Sequence, residues 1–412
     1  MKESYLWIIG GGVLQIPLIV EAKKIGLKVI VTDASPNCMC SQHADIFSPI
    51  DIFDIKKHIN LADDLTAKGV SIEGVLAAGI DAPETMTRLA EHLKLPGVSS
   101  EIAHLVNHKE LFREKMKELD IPVPSFYVMT EDNLDTLDKI LSEVGYPLIV
   151  KNTSSSGSRG TKIFYEPDFN SVKETVLEAI EVSRSSKALI ESLWLGSEHT
   201  VETIFDINGD FHECFITDRG FDKSNGFAIE TGLVHPSQLS KKNQKEMYAL
   251  AEHVSKSIGI SHGAAKFDMM MTNDGPRIIE MTVRLSGGFD CQYLVPFATG
   301  KNVLKAAIQT SLGKPFDNSI LLDTKNRVCI SESLWPLPGK IVDIKGLKKI
   351  ELFDGFEFIY FRYNVGDIVQ PYTDCTKRVC FIIASGVDYN DALNNMNNIK
   401  KEINITIDKD IK

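Results

Sequence analysis

Three polar side chains occupy alternate positions in the segment PRIIEMTVRLSGG, which runs from residue 276 to 288. Because successive residues of a strand point to opposite faces, Glu280, Thr282 and Arg284 are predicted to share one face. The residues between them are apolar and are predicted to face a core: Ile279, Met281 and Val283. A carboxylate, a hydroxyl and a guanidinium in a row can hold a metal ion and a phosphoryl group together. This strand is therefore predicted to carry phosphoryl chemistry.

The preceding predicted strand, AAKFDMMM, places Lys266 and Asp268 on one face, and the TNDGP segment that follows is typical of a β-hairpin. A three-residue loop ending at a left-handed Gly275 puts Asp268 directly opposite Glu280. A two-residue loop ending at the same glycine puts Asp268 opposite Met281 instead. In the first arrangement the two carboxylates repel each other unless a cation lies between them. That arrangement favours Mg²⁺ bound together with nucleotide phosphates.

A loop of small polar residues, KNTSSSGSRGT, spans 151–161 and joins two predicted strands. In a Walker loop the lysine follows the glycines and opens a helix, whereas Lys151 precedes them here. Serine and glycine amides can still wrap a polyphosphate, and Lys151 supplies a positive charge. The alternative is a hairpin tip with an exposed lysine. Farther along, Glu191 and Glu198 flank a turn at Gly196, which favours a nucleoside held by two acceptors.

The amino-terminal strand ends in three glycines, residues 10–12, and Asp33 ends the next strand. A dinucleotide-binding GxGxxG motif needs a third glycine where Gln15 stands, so the spacing argues against a nicotinamide dehydrogenase. We expect these glycines to form a tight turn beside helix N-terminal amides that are free for an anion. Asp33 is then a cleft or surface carboxylate.

The composition is that of a globular protein, with 412 residues, 43% hydrophobic and 25% charged. The length predicts two or three domains. A net charge of −11 argues against non-specific binding of nucleic acid. We expect no signal peptide and no membrane span. The seven cysteines form no CxxC pair, which favours reduced thiols in a cytoplasmic protein.

The first third alternates strands and helices, which predicts a parallel sheet with covering helices. A single helical stretch is predicted around 101–119, and prolines 122 and 124 mark a boundary. Strands joined by short loops follow, with helices at 241–258 and 302–312. The last region is predicted to be β-rich, with a final helix from Tyr389. The predicted boundaries give three domains: 1–118, 119–325 and 326–412.

Taken together, these residues resemble the ATP-grasp superfamily over nearly the whole chain. The resemblance implies an α/β and α+β protein in which a Rossmann-like domain precedes an ATP-grasp fold, followed by a small β-rich domain. A mobile lid subdomain is implied at about 123–192. The nucleotide-binding residues implied are Lys109, Lys151, Ser154, Ser155, Ser156, Gly157, Ser158, Gly160, Glu191, Leu193 and Glu198. Lys109 follows His108, which stands where an acidic residue is more usual.

The same resemblance implies that Asp268, Glu280 and Thr282 bind metal, and that Arg284 and Lys151 stabilise the transferring phosphoryl group. Ser286, Gly287 and Gly288, with Arg284, are implied to bind substrate. The family commonly has Glu-x-Asn-x-Arg, so Thr282 is a departure that weakens the second metal position.

Within the superfamily the chain resembles the carboxylate-amine ligases that include L-amino acid ligases, with related architecture in biotin carboxylase and the carbamoyl-phosphate synthase large subunit. The implied activity joins a small-molecule carboxylate to an amine through an acylphosphate, with ATP and Mg²⁺, for which Mn²⁺ is an alternative. A non-catalytic ATP-binding regulatory module and a carboxylase-type reaction remain alternatives. A homodimer is common among similar proteins.

Overall fold

The computed structural model describes residues 3–154 and 157–408, and the first third has the predicted parallel sheet. Its strands follow the order β3-β2-β1-β4, and all neighbours are parallel. Alternating strands and helices make up this part: β1 (Ser4–Ile9), α1 (Ile16–Lys24), β2 (Lys28–Thr32), β3 (Ile46–Ser48), α2 (Ile55–Ala67), β4 (Ser71–Ala77) and α3 (Pro83–His92).

The single helical stretch predicted around 101–119 is two helices, α4 (Ser100–Asn107) and α5 (Lys109–Glu118). His108 separates them because its backbone, with φ −107° and ψ 102°, is not helical. The break turns the chain so that both helices pack their apolar faces onto the central sheet described below.

The lid subdomain contains two helices that the predicted run of strands and short loops omitted. Its elements are β5 (Phe126–Met129), α6 (Leu137–Val144), β6 (Leu148–Asn152), β7 (Lys162–Phe164), α7 (Phe169–Val182) and β8 (Ala188–Ser192). Helix α7 has a helical signature in its sequence, since Asp168 caps its first turn and Val172, Val176 and Ala179 form a buried stripe. The four strands form an antiparallel sheet of order β5-β8-β6-β7, and loop 153–161 joins two adjacent strands, as predicted.

The remaining elements build an eight-stranded central sheet and a small three-stranded sheet. They are β9 (Ser197–Phe205), β10 (Phe211–Asp222), β11 (Ile229–His235), α8 (Lys241–Ser257), β12 (Gly263–Thr272), β13 (Gly275–Thr282), α9 (Val295–Ala298), α10 (Val303–Ser311), β14 (Val328–Glu332), β15 (Gly339–Lys345), α11 (Leu347–Ile350), β16 (Phe356–Phe361), β17 (Ile368–Val369), β18 (Cys380–Gly386), α12 (Tyr389–Glu402) and β19 (Asn404–Asp408). The central sheet has the order β13-β12-β9-β10-β11-β14-β18-β16. It therefore continues across the domain boundary predicted at 325/326.

In the β12–β13 hairpin Asp268 pairs with Glu280, the pairing that the favoured arrangement required. The predicted three-residue loop is wrong: Thr272 pairs with Gly275, which leaves a two-residue loop, and a β-bulge beside Asp268 shifts the register by one residue. Because of the bulge, the prediction that Ile279 faces the core is wrong. Ile278 is buried in the core with Met281 and Val283, whereas Ile279 lines the main cavity beside Glu280.

Helix α8 packs with α4 and α5 on one face of the central sheet, where Phe205, Phe267 and Val283 belong to a shared apolar core. Among residues 3–154 and 157–408, no helix is long and apolar enough to cross a membrane. The opposite face of the sheet, which carries the charged side chains of β12 and β13, is left for the site.

Candidate active site

A cavity of about 380 Å³ lies between the lid sheet and the charged face of the central sheet. This volume is in the range of small-molecule sites. The cavity brings together thirteen of the predicted residues: Lys109, Lys151, Gly157, Ser158, Glu191, Leu193, Glu198, Asp268, Glu280, Arg284, Ser286, Gly287 and Gly288. Residues separated by almost 180 positions in the sequence thus line one space.

One end of the cavity is apolar and suits a flat aromatic base. Ile149, Ile163, Trp194, Met270 and Ile279 line it, drawn from the lid, the connection after β8 and the hairpin. Leu193, which is predicted to bind the nucleotide, also lines the cavity. Its amide already donates to the Pro147 carbonyl at 3.0 Å, so its carbonyl oxygen is the backbone group left to meet a base.

A buried charge cluster joins the lid to α5. Arg113 Nε lies 2.6 Å from Glu191 Oε1, and the other carboxylate oxygen contacts Lys151 Nζ. Burial alone would raise the pKa of Glu191, but the two cations hold the pKa below its usual value. Lys151 is therefore not the exposed lysine of a hairpin tip, and the Glu191 carboxylate is engaged by two cations.

Arg113 was not predicted, and it also donates to the Ile279 carbonyl at 2.6 Å. It lies on the same helical face as Phe112 and Met116, which are buried, and this is the only signal that the sequence offers. An arginine within an apolar helical stripe is a candidate for a buried ion pair.

Glu198, predicted to hold a ribose, lines the cavity next to Lys223, whose ammonium lies 2.6 Å from its carboxylate. Lys223 follows β10 and was not predicted. The pair places a donor and an acceptor together at the rim, which suits vicinal hydroxyl groups.

The carboxylates of Asp268 and Glu280 face each other across β12 and β13, surrounded by cations. Arg219 Nη1 lies 2.8 Å from Asp268, Lys266 also contacts Asp268, and Lys109 Nζ lies 3.4 Å from Glu280. Burial and the neighbouring Glu280 raise the pKa of Asp268. Although burial opposes it, Lys109 and Lys266 hold the pKa of Glu280 below its usual value.

This donor set fits a magnesium ion. Mg²⁺ that also binds phosphates is typically held by one or two protein carboxylates. Here the two carboxylates lie on adjacent strands, and neighbouring protein cations already balance their negative charge. The three cations would pair with phosphate oxygens once the ion engages the carboxylates.

Thr282, predicted as a third ligand, lines a second cavity of about 40 Å³ rather than the main one. The two cavities share Lys109, Lys266, Glu280 and Arg284, so Thr282 lines the second cavity together with Glu280, whereas Asp268 lines the main cavity. Its register partner on β12 is Lys266.

The loop between β6 and β7, described at 153–154 and 157–161, borders the main cavity and the second cavity. Gly157 and Ser158 line the cavity, and the Gly157 carbonyl accepts from the Cys375 amide at 3.1 Å. Arg159 reaches across to Asp81, with Nη2 2.6 Å from the carboxylate. The loop thus contacts both the amino-terminal and the carboxyl-terminal parts of the chain.

Two predicted loop residues with described positions, Ser154 and Gly160, do not line the main cavity. Ser154 is buried, lines the second cavity and is hydrogen-bonded to Ser183 at 3.1 Å. Gly160 instead packs against α7, where a Cβ atom would lie 2.8 Å from Val182. Ser155 and Ser156 fall outside the described residues.

Arg284 lies at the junction of both cavities. Its Nε donates to the Ile80 carbonyl and its Nη1 to the Leu285 carbonyl, both at 2.9 Å. These two bonds hold the guanidinium in a fixed position. The turn that follows packs tightly: a Cβ on Gly79 would lie 2.9 Å from Gly287 Cα.

A charged chamber beyond Arg284 was not predicted. Its ionisable residues come from distant strands and loops, and all line the main cavity: Arg219, Glu230, Asp290, Arg362 and Arg378. Glu230 accepts from Arg219 at 2.9 Å and from Arg378 at 2.8 Å. Burial would raise the pKa of Glu230, but the two arginines lower it to about 2. These contacts join β10, β11 and the segment before β18, which sequence spacing does not reveal.

Two amides of the glycine loop at 10–12 are engaged by neighbouring groups, and the first is that of Gly10, which donates to the Thr32 carbonyl at 2.8 Å. Gly11 donates its amide to Asp33 Oδ2 at 2.8 Å, and the Cys40 amide donates to the Gly11 carbonyl at 3.0 Å. Asp33 therefore serves as an acceptor that closes the loop. Leu14, in the short helix after the glycines, is the part of this segment that lines the main cavity.

Family comparisons agree with this geometry. The family described as "Carbamoyl-phosphate synthase L chain, ATP binding domain" matches residues 108–319, more than half of the chain. The family described as "L-amino acid ligase C-terminal domain 2" matches residues 334–408.

Among relatives, carnosine synthase 1 from Homo sapiens is 22% identical over 334 residues, covering 76% of this chain and 40% of that protein. The chain spans 20% to 64% of the lengths of five curated relatives that it matches. The solved L-amino acid ligase from Bacillus licheniformis is 19% identical, with a TM-score of 0.81, covering 99% of this chain and 100% of that one.

A biotin carboxylase domain from Hydrogenobacter thermophilus, solved with MgADP and bicarbonate, is 16% identical with a TM-score of 0.75. That likeness covers 99% of this chain and 91% of that one. The expected resemblance and fold class are thereby confirmed. The chain belongs to the family of the carbamoyl-phosphate synthase L chain, ATP binding domain, and has the ATP-grasp fold.

Proposed function

We propose that the protein is an ATP-dependent ligase that activates a small-molecule carboxylate as an acylphosphate, releases ADP, and joins the acyl group to an amine. The observation that carries this proposal is the cross-strand pair of Asp268 and Glu280, with Lys109 and Arg284 beside it, between a base-sized apolar pocket and a charged chamber.

In the first step an oxygen of the substrate carboxylate attacks the γ-phosphorus of ATP. The bond between that phosphorus and the β–γ bridging oxygen breaks, and ADP leaves with the electron pair. Mg²⁺ held by Asp268 and Glu280 would supply the charge that draws electrons toward the phosphates. Lys151 and Lys109 bind phosphate oxygens, and Arg284, fixed by two carbonyl groups, faces the charge on the transferring group.

In the second step the amine nitrogen forms a bond to the acyl carbon, and phosphate leaves from that carbon. Residues 157–161, which contact Asp81 through Arg159 and the Cys375 amide through Gly157, exclude water that would otherwise hydrolyse the acylphosphate. No side chain has to act as a nucleophile.

The substrates that the charged chamber supports are small zwitterions such as amino acids. Arg362 and Arg378 offer positive charge, Glu230 offers negative charge, and Leu233 and Phe381 add apolar surface. The likeness to the L-amino acid ligase from Bacillus licheniformis and to carnosine synthase 1 supports the same substrate class.

The use of Mn²⁺ as an alternative cation stays a prediction, and so does the formation of a homodimer. All seven cysteines carry free thiols in the structure. Free thiols support a reducing compartment, and we propose the cytoplasm.

A screen of amino acids, singly and in pairs, with Mg-ATP tests the activity. Release of phosphate and ADP that requires an amine, together with a product mass equal to the sum of two substrates minus water, supports the ligase. ATP binding measured in parallel distinguishes a regulatory module, which binds ATP while no pair stimulates phosphate release. Stimulation by bicarbonate alone supports the carboxylase-type alternative.

A further inference from the structure

Outside the nucleotide cavity, three side chains converge where α3 meets α4. Glu84 lies in the first turn of α3, His104 in the last turn of α4, and His108 at the break between α4 and α5. His104 Nδ1 lies 3.3 Å from Glu84 Oε2, and His108 Nε2 lies 3.6 Å from Glu84 Oε1. One donor atom from each residue falls within 4.8 Å of the other two.

We propose that Glu84, His104 and His108 form a binding site for a divalent transition metal, of which Zn²⁺ is the representative ion. The proposal does not depend on the ligase activity. Two imidazoles and one carboxylate are a common protein ligand set for zinc, whereas Mg²⁺ prefers oxygen donors. This site is therefore chemically distinct from the pair of Asp268 and Glu280.

The spacing of the donors fits a single ion. Metal–nitrogen distances near 2.1 Å and tetrahedral angles separate two ligand atoms by about 3.4 Å. Each histidine nitrogen lies close to that distance from one Glu84 oxygen, Oε2 for His104 and Oε1 for His108, so a single ion requires both carboxylate oxygens or a rotation of the carboxylate, together with an adjustment between the two imidazoles. Their ring centroids lie 4.3 Å apart, and His104 is about half exposed, which gives an ion a path from solvent.

A second observation points to a ligand at His108. Its other ring nitrogen, Nδ1, faces Glu110 Oε1 at 3.8 Å, and Glu110 is buried. Metal-bound histidines typically direct their second nitrogen at a carboxylate, which fixes the ring orientation. Within the described residues, Glu110 Oε2 is buried and accepts no hydrogen bond. Asn107 in turn donates to Glu84 Oε1 at 3.1 Å.

The alternative is an ion-pair cluster without metal. In that state Glu110 and Glu84 hold a proton on His108 and raise its pKa to about 9. An ion has to displace this proton, so binding is best measured at pH 8. His108 immediately precedes Lys109, and a bound ion would tie the break between α4 and α5 to α3.

The test uses the full chain, freed of metal with a chelator and then held in excess Mg²⁺ so that the oxygen site is filled. Isothermal titration with Zn²⁺ at pH 8 is expected to show one ion per chain, and Co²⁺ is expected to give the visible absorption of nitrogen and oxygen ligation without a thiolate band. His104→Ala and Glu84→Gln are each expected to weaken Zn²⁺ affinity at least about 10-fold.

His92→Ala is the matched control. His92 lies on α3, like Glu84, and its Nε2 lies 2.6 Å from Asp63. The substitution therefore removes a surface histidine–carboxylate pair and leaves the proposed ligands intact. Zn²⁺ is expected to raise the Tm of the wild type and of His92→Ala, but not that of His104→Ala. His104 is too exposed for its removal to unfold the chain. The proposal is overturned if the wild type binds no Zn²⁺ in excess Mg²⁺, or if His104→Ala and Glu84→Gln bind it as tightly as the wild type.

Discussion

Arg113 on α5 and Glu191 on β8 form a nearly inaccessible ion pair, with 1% and 3% of their side chains exposed. The pair links the lid strand that carries Glu191 to the helix that begins with Lys109. Lys151 shares the Glu191 carboxylate, and Lys109 begins the helix that carries Arg113, so the cluster connects the elements that carry both predicted nucleotide lysines. The positions of the two lysines therefore depend on Arg113, which does not itself need to contact phosphate.

Replacing Arg113 by Met should destabilise the protein by about 3–5 kcal/mol, because the buried Glu191 loses its strongest partner. Urea unfolding measures the loss. Lys115→Met is the control: Lys115 lies on the same helix and pairs with Glu118 near the surface, where such a pair contributes less than about 1 kcal/mol. Equal effects from the two variants would contradict a structural role for the buried cluster.

Glu280→Gln should lower ATP-dependent phosphate release by about 100-fold or more, because one of two carboxylate ligands for Mg²⁺ is lost. ATP binding is expected to persist, since the apolar pocket is intact. Phosphate release and ATP binding are measured on the same preparation. Glu73→Gln, on β4 away from the cavity, controls for loss of a carboxylate. Unchanged turnover in Glu280→Gln would remove the metal assignment.

Thr282→Asn restores the amide that similar proteins commonly carry. If the hydroxyl limits metal binding, the variant should reach half-maximal activity at a Mg²⁺ concentration several-fold lower. The position of Thr282 in the second cavity predicts a modest effect, carried through Lys266 and Glu280. Activity titrated against Mg²⁺ at saturating ATP gives the comparison, and Thr282→Val tests the reverse. Identical Mg²⁺ curves for all three proteins would show that residue 282 does not influence the metal.

Glu202 predicts a pH dependence of stability. It is fully buried on β9, and burial raises its pKa to about 7 although the Ser286 amide donates to it. Because the folded pKa exceeds the unfolded value of 4.5, the folded protein retains a proton that the unfolded chain loses between these values. The free energy of unfolding contributed by this group therefore falls as pH rises through that window, by at most about 3 kcal/mol.

Glu202→Gln should remove this fall, so its unfolding free energy relative to the wild type should rise between pH 5 and about pH 7. The difference between the two proteins is the informative quantity. His235, whose pKa burial lowers to about 4, changes stability in the opposite direction, since that contribution falls as pH drops. His235 cancels in the comparison. A difference that stays constant with pH would show that Glu202 ionises normally in the folded state.

Period-two alternation put Asp268 and Glu280 on the charged faces of two neighbouring strands, but whether they pair with each other depended on the hairpin loop, which alternation does not determine. The details of the hairpin could not be predicted, since a bulge and a shorter loop produce the same pairing. Arg219 and Arg378 were missed because the role of each depends on an ion pair with Glu230, which lies on a different element. A single arginine gives no periodic pattern in the sequence. Helix α7 was missed although its cap and apolar stripe were visible in the sequence.

The eight-stranded sheet has a further consequence for how this chain can be divided. Strand β14 pairs with β11, and β18 and β16 extend the sheet beyond it. Cutting the chain near residue 326 would leave β11 as an open edge, with unpaired amides and carbonyls that invite association with other chains. The same cut would also break the ion pair between Arg378 and Glu230. The parts of the chain before and after residue 326 therefore share one sheet, and a version truncated there should aggregate rather than act as a smaller enzyme.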